Sequence, residues 1–173
     1  MHELLVVPNA NLAYVPIFGD GIQGRNPNPG HLLCIIDLEK RCSPASADGR
    51  ILVAVDDAQP SSLFLIDTAD GRVTNEVRLE GVPKAAQIAR YASDNSLIAV
   101  SSLNSDMVSL IDPSFQQQTA IKVGSQPMDM AFRGDELFVA CQGDGSVHVI
   151  DIPKRRAKHS FRAGTGCESL GFF

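Results

Sequence analysis

The residues best suited by type and spacing to chemistry in this 173-residue chain are the glycines of Gly19-Asp20-Gly21-Ile22-Gln23-Gly24. Their G-x-G-x-x-G spacing cradles a pyrophosphate where a strand runs into the glycines and a helix opens on the third, offering free N–H groups. Leu12 to Phe18 can supply the strand. The helix cannot follow, because Arg25-Asn26-Pro27-Asn28-Pro29-Gly30 holds two prolines. These remove donors and push the residues before them away from helical angles. The segment reads as a long loop between two strands. Metal chemistry finds no better footing. Cys34, Cys42, Cys141 and Cys167 form no C-x-x-C pair, and His2, His31, His148 and His159 include no H-x-x-x-H. Cys34 and Cys141 sit in the apolar runs Leu-Leu-Cys-Ile-Ile and Leu-Phe-Val-Ala-Cys, as small buried residues do. No metal and no cofactor is expected.

Bulk properties narrow the partners. The chain is 44% hydrophobic and 20% charged, with a formal net charge of −5. That is ordinary globular composition for one domain large enough to bury a core. The acidic balance argues against nucleic acid, whose binders carry a basic face. Lys154-Arg155-Arg156, the densest basic run, lies between two apolar segments and reads as a solvated turn. No apolar stretch approaches the roughly 20 residues of a membrane span. The N-terminal Met-His-Glu-Leu-Leu has no basic n-region or cleavage site. A cytoplasmic location is expected, unless the chain is a fragment of an exported precursor.

The elements that must position any site emerge from self-comparison. Apolar runs close on Ile-Asp four times, at Ile36-Asp37, Ile66-Asp67, Ile111-Asp112 and Ile150-Asp151. After each of the last three come a polar turn and a more polar strand (Val73 to Leu79, Thr119 to Val123, Ala157 to Arg162). A glycine corner follows: Gly81-Val82-Pro83, Gly124-Ser125-Gln126-Pro127 or Gly164-Thr165-Gly166. Next come a strand of small residues, a turn and an apolar strand such as Leu97 to Ser101 or Leu137 to Cys141. Four short strands in a unit of roughly 40 residues make the blade of a β-propeller. The chain has no tryptophan, which argues against Trp-Asp and kelch signatures. The pattern resembles the YVTN-type repeat of lactonase-type and quinohemoprotein-amine-dehydrogenase-β-like propellers. Ala13-Tyr14-Val15, Leu137-Phe138-Val139-Ala140, Asp144-Gly145-Ser146-Val147 and Gly124-Ser125-Gln126-Pro127 carry that resemblance.

The expected fold is therefore all-β: about four YVTN-type blades, 14 or 15 strands and almost no helix, forming an incomplete ring. Residues 1–173 form one domain, with repeats around 1–50, 51–80, 81–123 and 124–162 and a last strand at 168–173. Between Asp37 and Ile51 there is too little chain for two strands and a corner, since an extended residue spans about 3.3 Å. The outer strand of the first blade and the inner strand of the second should be missing or merged. Gly19 to Gly24 falls between the second and third strands of the first blade, as an enlarged loop. The Ile-Asp carboxylates stand at strand ends before turns, where they accept backbone N–H bonds. Ligands meet propellers at the mouth of the central channel. The residue after each corner should begin an inner strand there, which selects His2, Lys84, Met128 and Glu168. The function expected is a non-catalytic binding or scaffold protein, recognising a protein or small ligand through its loop face. The alternative is a lactonase-like hydrolase with an acid–base cluster at the channel mouth. Self-association or further blades would complete the ring.

Overall fold

In the computed structural model, residues 46, 48–56, 58, 60–81 and 86–170 are described in full, with the backbone of residues 5–7, 12–17 and 32–37. Among them the chain makes fourteen strands and no helix. Four antiparallel sheets follow one another along the chain. The first is β1 (Leu5–Val7), β2 (Leu12–Ile17) and β3 (Leu32–Asp37); the second is β4 (Ile51–Val55), β5 (Ser62–Asp67) and β6 (Val73–Arg78). The third runs β7 (Ala86–Tyr91), β8 (Ile98–Ser102), β9 (Met107–Ile111) and β10 (Gln118–Lys122). The fourth runs β11 (Pro127–Arg133), β12 (Glu136–Cys141), β13 (Ser146–Asp151) and β14 (Arg156–Arg162). In every sheet sequence neighbours are spatial neighbours. Four meandering sheets of this kind are the blades of a β-propeller.

A single register recurs in all four. The isoleucine of each Ile-Asp faces an apolar residue on the strand before it: Ile36 with Ala13, Ile66 with Leu52, Ile111 with Ile98 and Ile150 with Leu137. That equivalence makes β4 a second strand, not a first. The second sheet thus lacks an inner strand among the described residues, and the first sheet lacks an outer one. Residues 38–45, where both were expected to be lost, lie outside the described residues. Glycines 19, 21 and 24 lie outside them too. Their flanks are decisive nonetheless, because β2 and β3 pair antiparallel with Ile17 opposite Leu32. A dinucleotide fingerprint needs a parallel crossover through a helix.

Turns explain the sheet ends. Asp67 accepts the Ala69 N–H at 2.7 Å, Asp112 the Gln116 N–H at 3.1 Å and Asp151 the Lys154 N–H at 3.1 Å. The Ser114 hydroxyl and the Lys154 ammonium add to Asp112 and Asp151. Hydrogen bonds from the side chain and backbone of Lys154 hold the Asp151 carboxyl below its ordinary range. These aspartates are turn caps, as an Asp before a turn is suited to be. The side chain of Asp37 lies outside the described residues.

Side-chain alternation builds the core between blades. Val53, Leu63, Leu65 and Val77 of the second blade pack with Ile98, Val100 and Ile111 of the third. The opposite face of the third blade, with Ala99, Val108 and Leu110, packs on Leu137, Val139, Cys141 and Ile150 of the fourth. Both faces of β8 are covered, so all five of its residues are buried. β4 lies against β7, and β7 and β8 lie against β11, which sets the blades side by side.

Backbone bonds also fix the corner that leaves the fourth blade. The Gly145 carbonyl accepts the Ala163 and Gly164 N–H groups at 2.9 and 3.2 Å, docking the next corner on the β12–β13 turn. Gly145 has φ +68°, and a Cβ there would fall 1.7 Å from the Gly164 carbonyl oxygen. Gly134, at φ +55°, has nothing within 4 Å of such an atom. Gly134→Ala should therefore cost only the left-handed conformation, about 1–3 kcal/mol. Gly145→Ala should lower the urea midpoint clearly further, at unchanged m. Equal midpoints would refute the close approach.

Candidate functional site

The inner strands begin irregularly. In β11 the pairing jumps from Pro127–Cys141 to Asp129–Ala140, leaving Met128 as a bulge; in β7 it jumps from Ala86–Ser102 to Ile88–Ser101, leaving Gln87. Bulges re-aim side chains and recur beside functional sites. Met128 is half-buried and starts its inner strand, where the corner spacing placed it. Glu168 is exposed, and its Oε1 accepts a short hydrogen bond from Gln142 Nε2. His2 and Lys84 lie outside the described residues. By register the third-blade residue equivalent to Met128 is Gln87, three residues beyond Lys84. The corner Gly81-Val82-Pro83 is one residue shorter than Gly124-Ser125-Gln126-Pro127. Counting from the proline therefore does not land on the bulge in both blades. The strand expected at 168–173 is described to residue 170, and residues 168–170 are irregular. A strand is held by a backbone ladder, whereas here the Leu170 N–H goes to a side chain.

That side chain is Asp129, which corner counting passed over by one position. It is 7% exposed and stands on β11 beside the bulge. Its Oδ1 accepts the Met130 N–H at 2.8 Å and meets Arg90 Nη2, from β7, at 3.0 Å. Its Oδ2 accepts the Leu170 N–H at 3.1 Å and, more weakly, the Ser169 hydroxyl at 3.4 Å. The Arg90 side chain is 24% exposed and that of Asp129 10%. One carboxylate thus links three successive segments at the inner edge of the propeller. The only sequence signal was a lone acid in an otherwise apolar inner strand, Pro-Met-Asp-Met-Ala-Phe.

The loops around this edge are equally committed. Asp106 Oδ1 accepts the Gln126 N–H and Asp144 Oδ2 the Ser125 N–H, both at 3.0 Å, so two carboxylates pin one corner. A hydrogen bond from the Ser146 hydroxyl, with others from the Ser125 and Ser146 backbone, holds the Asp144 carboxyl below its usual range despite partial desolvation. Asp56 spends an oxygen on the Ser62 N–H at 2.6 Å. Burial pushes the Cys141 thiol up to about 11, which leaves it protonated and a poor nucleophile at neutral pH. Among the described residues no three His, Cys, Asp or Glu side chains converge as metal ligands. No helix among them is long and apolar enough to cross a membrane.

The class these features define is the β-propeller. No family model and no curated protein matches the chain. Among solved structures it is similar to the hydrazine synthase of Kuenenia stuttgartiensis, with 25% identity and a TM-score of 0.64 over 85% of this chain and 41% of that one. It is also similar to U3-55K, with 17% identity and a TM-score of 0.58 over 68% and 37% of the two chains. The WD40 repeats of RRP9 match at 16% identity and a TM-score of 0.58, again over 68% and 37%. The chain spans less than half the length of each. These last two likenesses, both under 25% identical, concern fold alone.

Truncating Asp129 tests the inner linkage. Asp129→Ala removes the acceptor of the Leu170 and Met130 N–H groups and one partner of a quarter-exposed Arg90, which should cost about 1–3 kcal/mol. Arg90→Ala should cost less, because three donors to the carboxylate remain. The double variant should be more stable than the summed losses imply, by about 0.5–3 kcal/mol. Denaturant midpoints measure all three, and a loss below about 1 kcal/mol for Asp129→Ala would show the linkage to be dispensable.

Proposed function

We propose that the chain is a section of a YVTN-type β-propeller that binds a protein or small ligand through its loop face and catalyses no reaction. The observation that carries this reading is the saturation of Asp129. A general acid or base must be free to exchange a proton with substrate, and this carboxylate is held by four donors. Asp106 and Asp144 are likewise committed to backbone N–H groups. At the inner-strand starts stand the half-buried Met128 and Gln87 and the exposed Glu168, side chains suited to contact. Met128 and Gln87 sit at bulges, where an added residue turns a side chain out of the ladder.

The lactonase-like hydrolase is the competing reading. It would draw on His2, Lys84 and Glu168 as an acid–base cluster at the channel mouth. A panel of lactones, followed by pH-stat, decides between them, with His2→Ala and Glu168→Ala as controls. Turnover at the buffer rate is expected. Turnover above it that disappears in Glu168→Ala would establish the hydrolase.

We also propose that the ring is completed by further blades or by a second copy of the chain. Support comes from the 37–41% of the similar propeller chains that this one spans. A symmetric pair would bury equivalent edges. Light scattering on the 173-residue chain should give a mass well above 18.6 kDa. A monodisperse species of 18.6 kDa would overturn completion by a second copy.

A further inference from the structure

The outermost strand of the fourth blade differs from everything inside it. β14 reads Arg156-Ala157-Lys158-His159-Ser160-Phe161-Arg162, and all seven residues are exposed. It pairs with β13 on one side, and among the described residues nothing pairs with the other. Five of the chain's fifteen Lys and Arg fall within residues 154–162, with no Asp or Glu among them. Against a net charge of −5, the rest of the chain then carries −10. The rest of the chain is acidic in composition, and this rim strand is not.

Part of that basic charge is already used. Lys154 pairs with Asp151 at 2.7 Å, Lys158 with Glu136 at 2.6 Å, and Arg155 reaches the Thr119 hydroxyl of the third blade at 3.2 Å. Arg162 remains free on the strand, whereas Arg156 lies opposite Asp151 and, like His159 toward Glu136, lends its charge to a carboxylate of the same blade. Register assigns the faces. Arg162 and Ser160 lie opposite Ser146 and His148, whereas Phe161 and His159 lie opposite Val147 and Val149. Beyond its own strand, the first face is thus polar with one free guanidinium. The second carries Phe161, whose 48% exposure makes it one of two exposed large apolar side chains among the described residues.

We propose that the free edge of β14 is a docking strand for an acidic, extended polypeptide segment, which adds to the sheet as a fifth strand. A free edge offers a row of backbone donors and acceptors, so an incoming strand gains its affinity from main-chain hydrogen bonds and its specificity from alternate side chains. Over residues 159–162, beyond the bulge at Lys158, the faces fix that alternation: an acid on the Arg162 side and an aliphatic residue on the Phe161 side. Charge complementarity selects the occupant, since the strand lacks any acid and the chain's own acids lie elsewhere. Phosphate polymers fit less well. They would use the charges but neither the backbone edge nor the phenyl ring. This surface is separate from the channel mouth and does not depend on what binds there.

The test uses the full chain and a fluorescein-labelled octapeptide alternating glutamate and valine, read by anisotropy at low salt. Saturable binding is expected. The same peptide N-methylated on its valines keeps the charge but loses ladder donors, and should bind at least about tenfold more weakly. Arg162→Glu should weaken binding about tenfold too, with an unchanged melting curve because this exposed side chain lies opposite Ser146 and pairs with no acid. An octapeptide with lysine for glutamate should not bind. Equal binding of the methylated peptide would reduce the edge to a charge patch and overturn the proposal. So would tighter binding of an oligonucleotide or of anionic lipid vesicles than of the acidic peptide. Absence of saturable binding would mean that these charges only guard the edge against self-pairing.

Discussion

The structure turns on a carboxylate that water barely reaches. Asp129 must be saturated with donors to be buried at all, because an unpaired buried charge costs far more than a fold of this size can spare. The donors it finds come from three different places along the chain: Arg90 on β7, Met130 beside it and Ser169-Leu170 beyond the last strand. Apolar packing between blades is abundant but non-directional. Sheets in a propeller share no ladder, so nothing in their own hydrogen bonding fixes one against the next. Directional side-chain bonds do that instead. Ser61 accepts the Ala86 N–H at 3.1 Å, Gln118 bridges the Glu80 N–H and the Arg78 carbonyl, and Arg155 reaches Thr119. Asp129 is the one carboxylate among these links, and it is 7% exposed.

This division of labour shapes the third blade most strongly. It is sandwiched, so its strands lose the polar-out alternation that a half-exposed sheet shows. β8 is buried throughout, and the buried hydroxyls of its Ser101 and Ser102 and of Ser109 on β9 have no protein partner. The fourth blade grades from that condition outward. β12 and β13 are largely buried, and β14 is wholly exposed. The basic composition of β14 is consistent with its place at the rim, where a strand must either recruit a partner or repel one.

Local rules made much of the architecture legible in the sequence. The Ile-Asp pairs mark strand ends because an aspartate there caps its own turn, and Asp67, Asp112 and Asp151 do so. Their spacing exposed the repeat, and the short interval between Asp37 and Ile51 pointed to two three-stranded sheets. The site was less legible. Bulges at Gln87 and Met128 arise from how a strand meets its neighbour, so corner counting found one and not the other. Asp129 was invisible for a related reason. Its meaning lies in Arg90, thirty-nine residues earlier, and Leu170, forty-one residues later. No period within a blade predicts a bond between blades. The left-handed backbone at Phe115 and Arg155 was equally hidden, since neither residue type favours it. At the equivalent turn of the second blade a glycine, Gly71, occupies that conformation.

On the proposed binding reading, the same linkage bears on why a propeller edge of this kind would suit recognition better than turnover. Catalytic groups are held in unusual protonation states by incomplete satisfaction, and that costs stability. Here the inner carboxylate is satisfied and the loop carboxylates are held in their charged form by N–H and hydroxyl donors, as at Asp144 and Asp112. Burial opposes ionisation at Asp112, and the bonds from Ser114 and Gln116 outweigh it. Such groups fix the positions of corners without taking part in proton exchange. The bulge residues Gln87 and Met128 stand at the starts of the inner strands, beside these corners. A contact surface built so loses little conformational entropy on binding, which is where preorganised interfaces gain their affinity. Rigidity that would hinder a reacting centre is an asset at a docking surface.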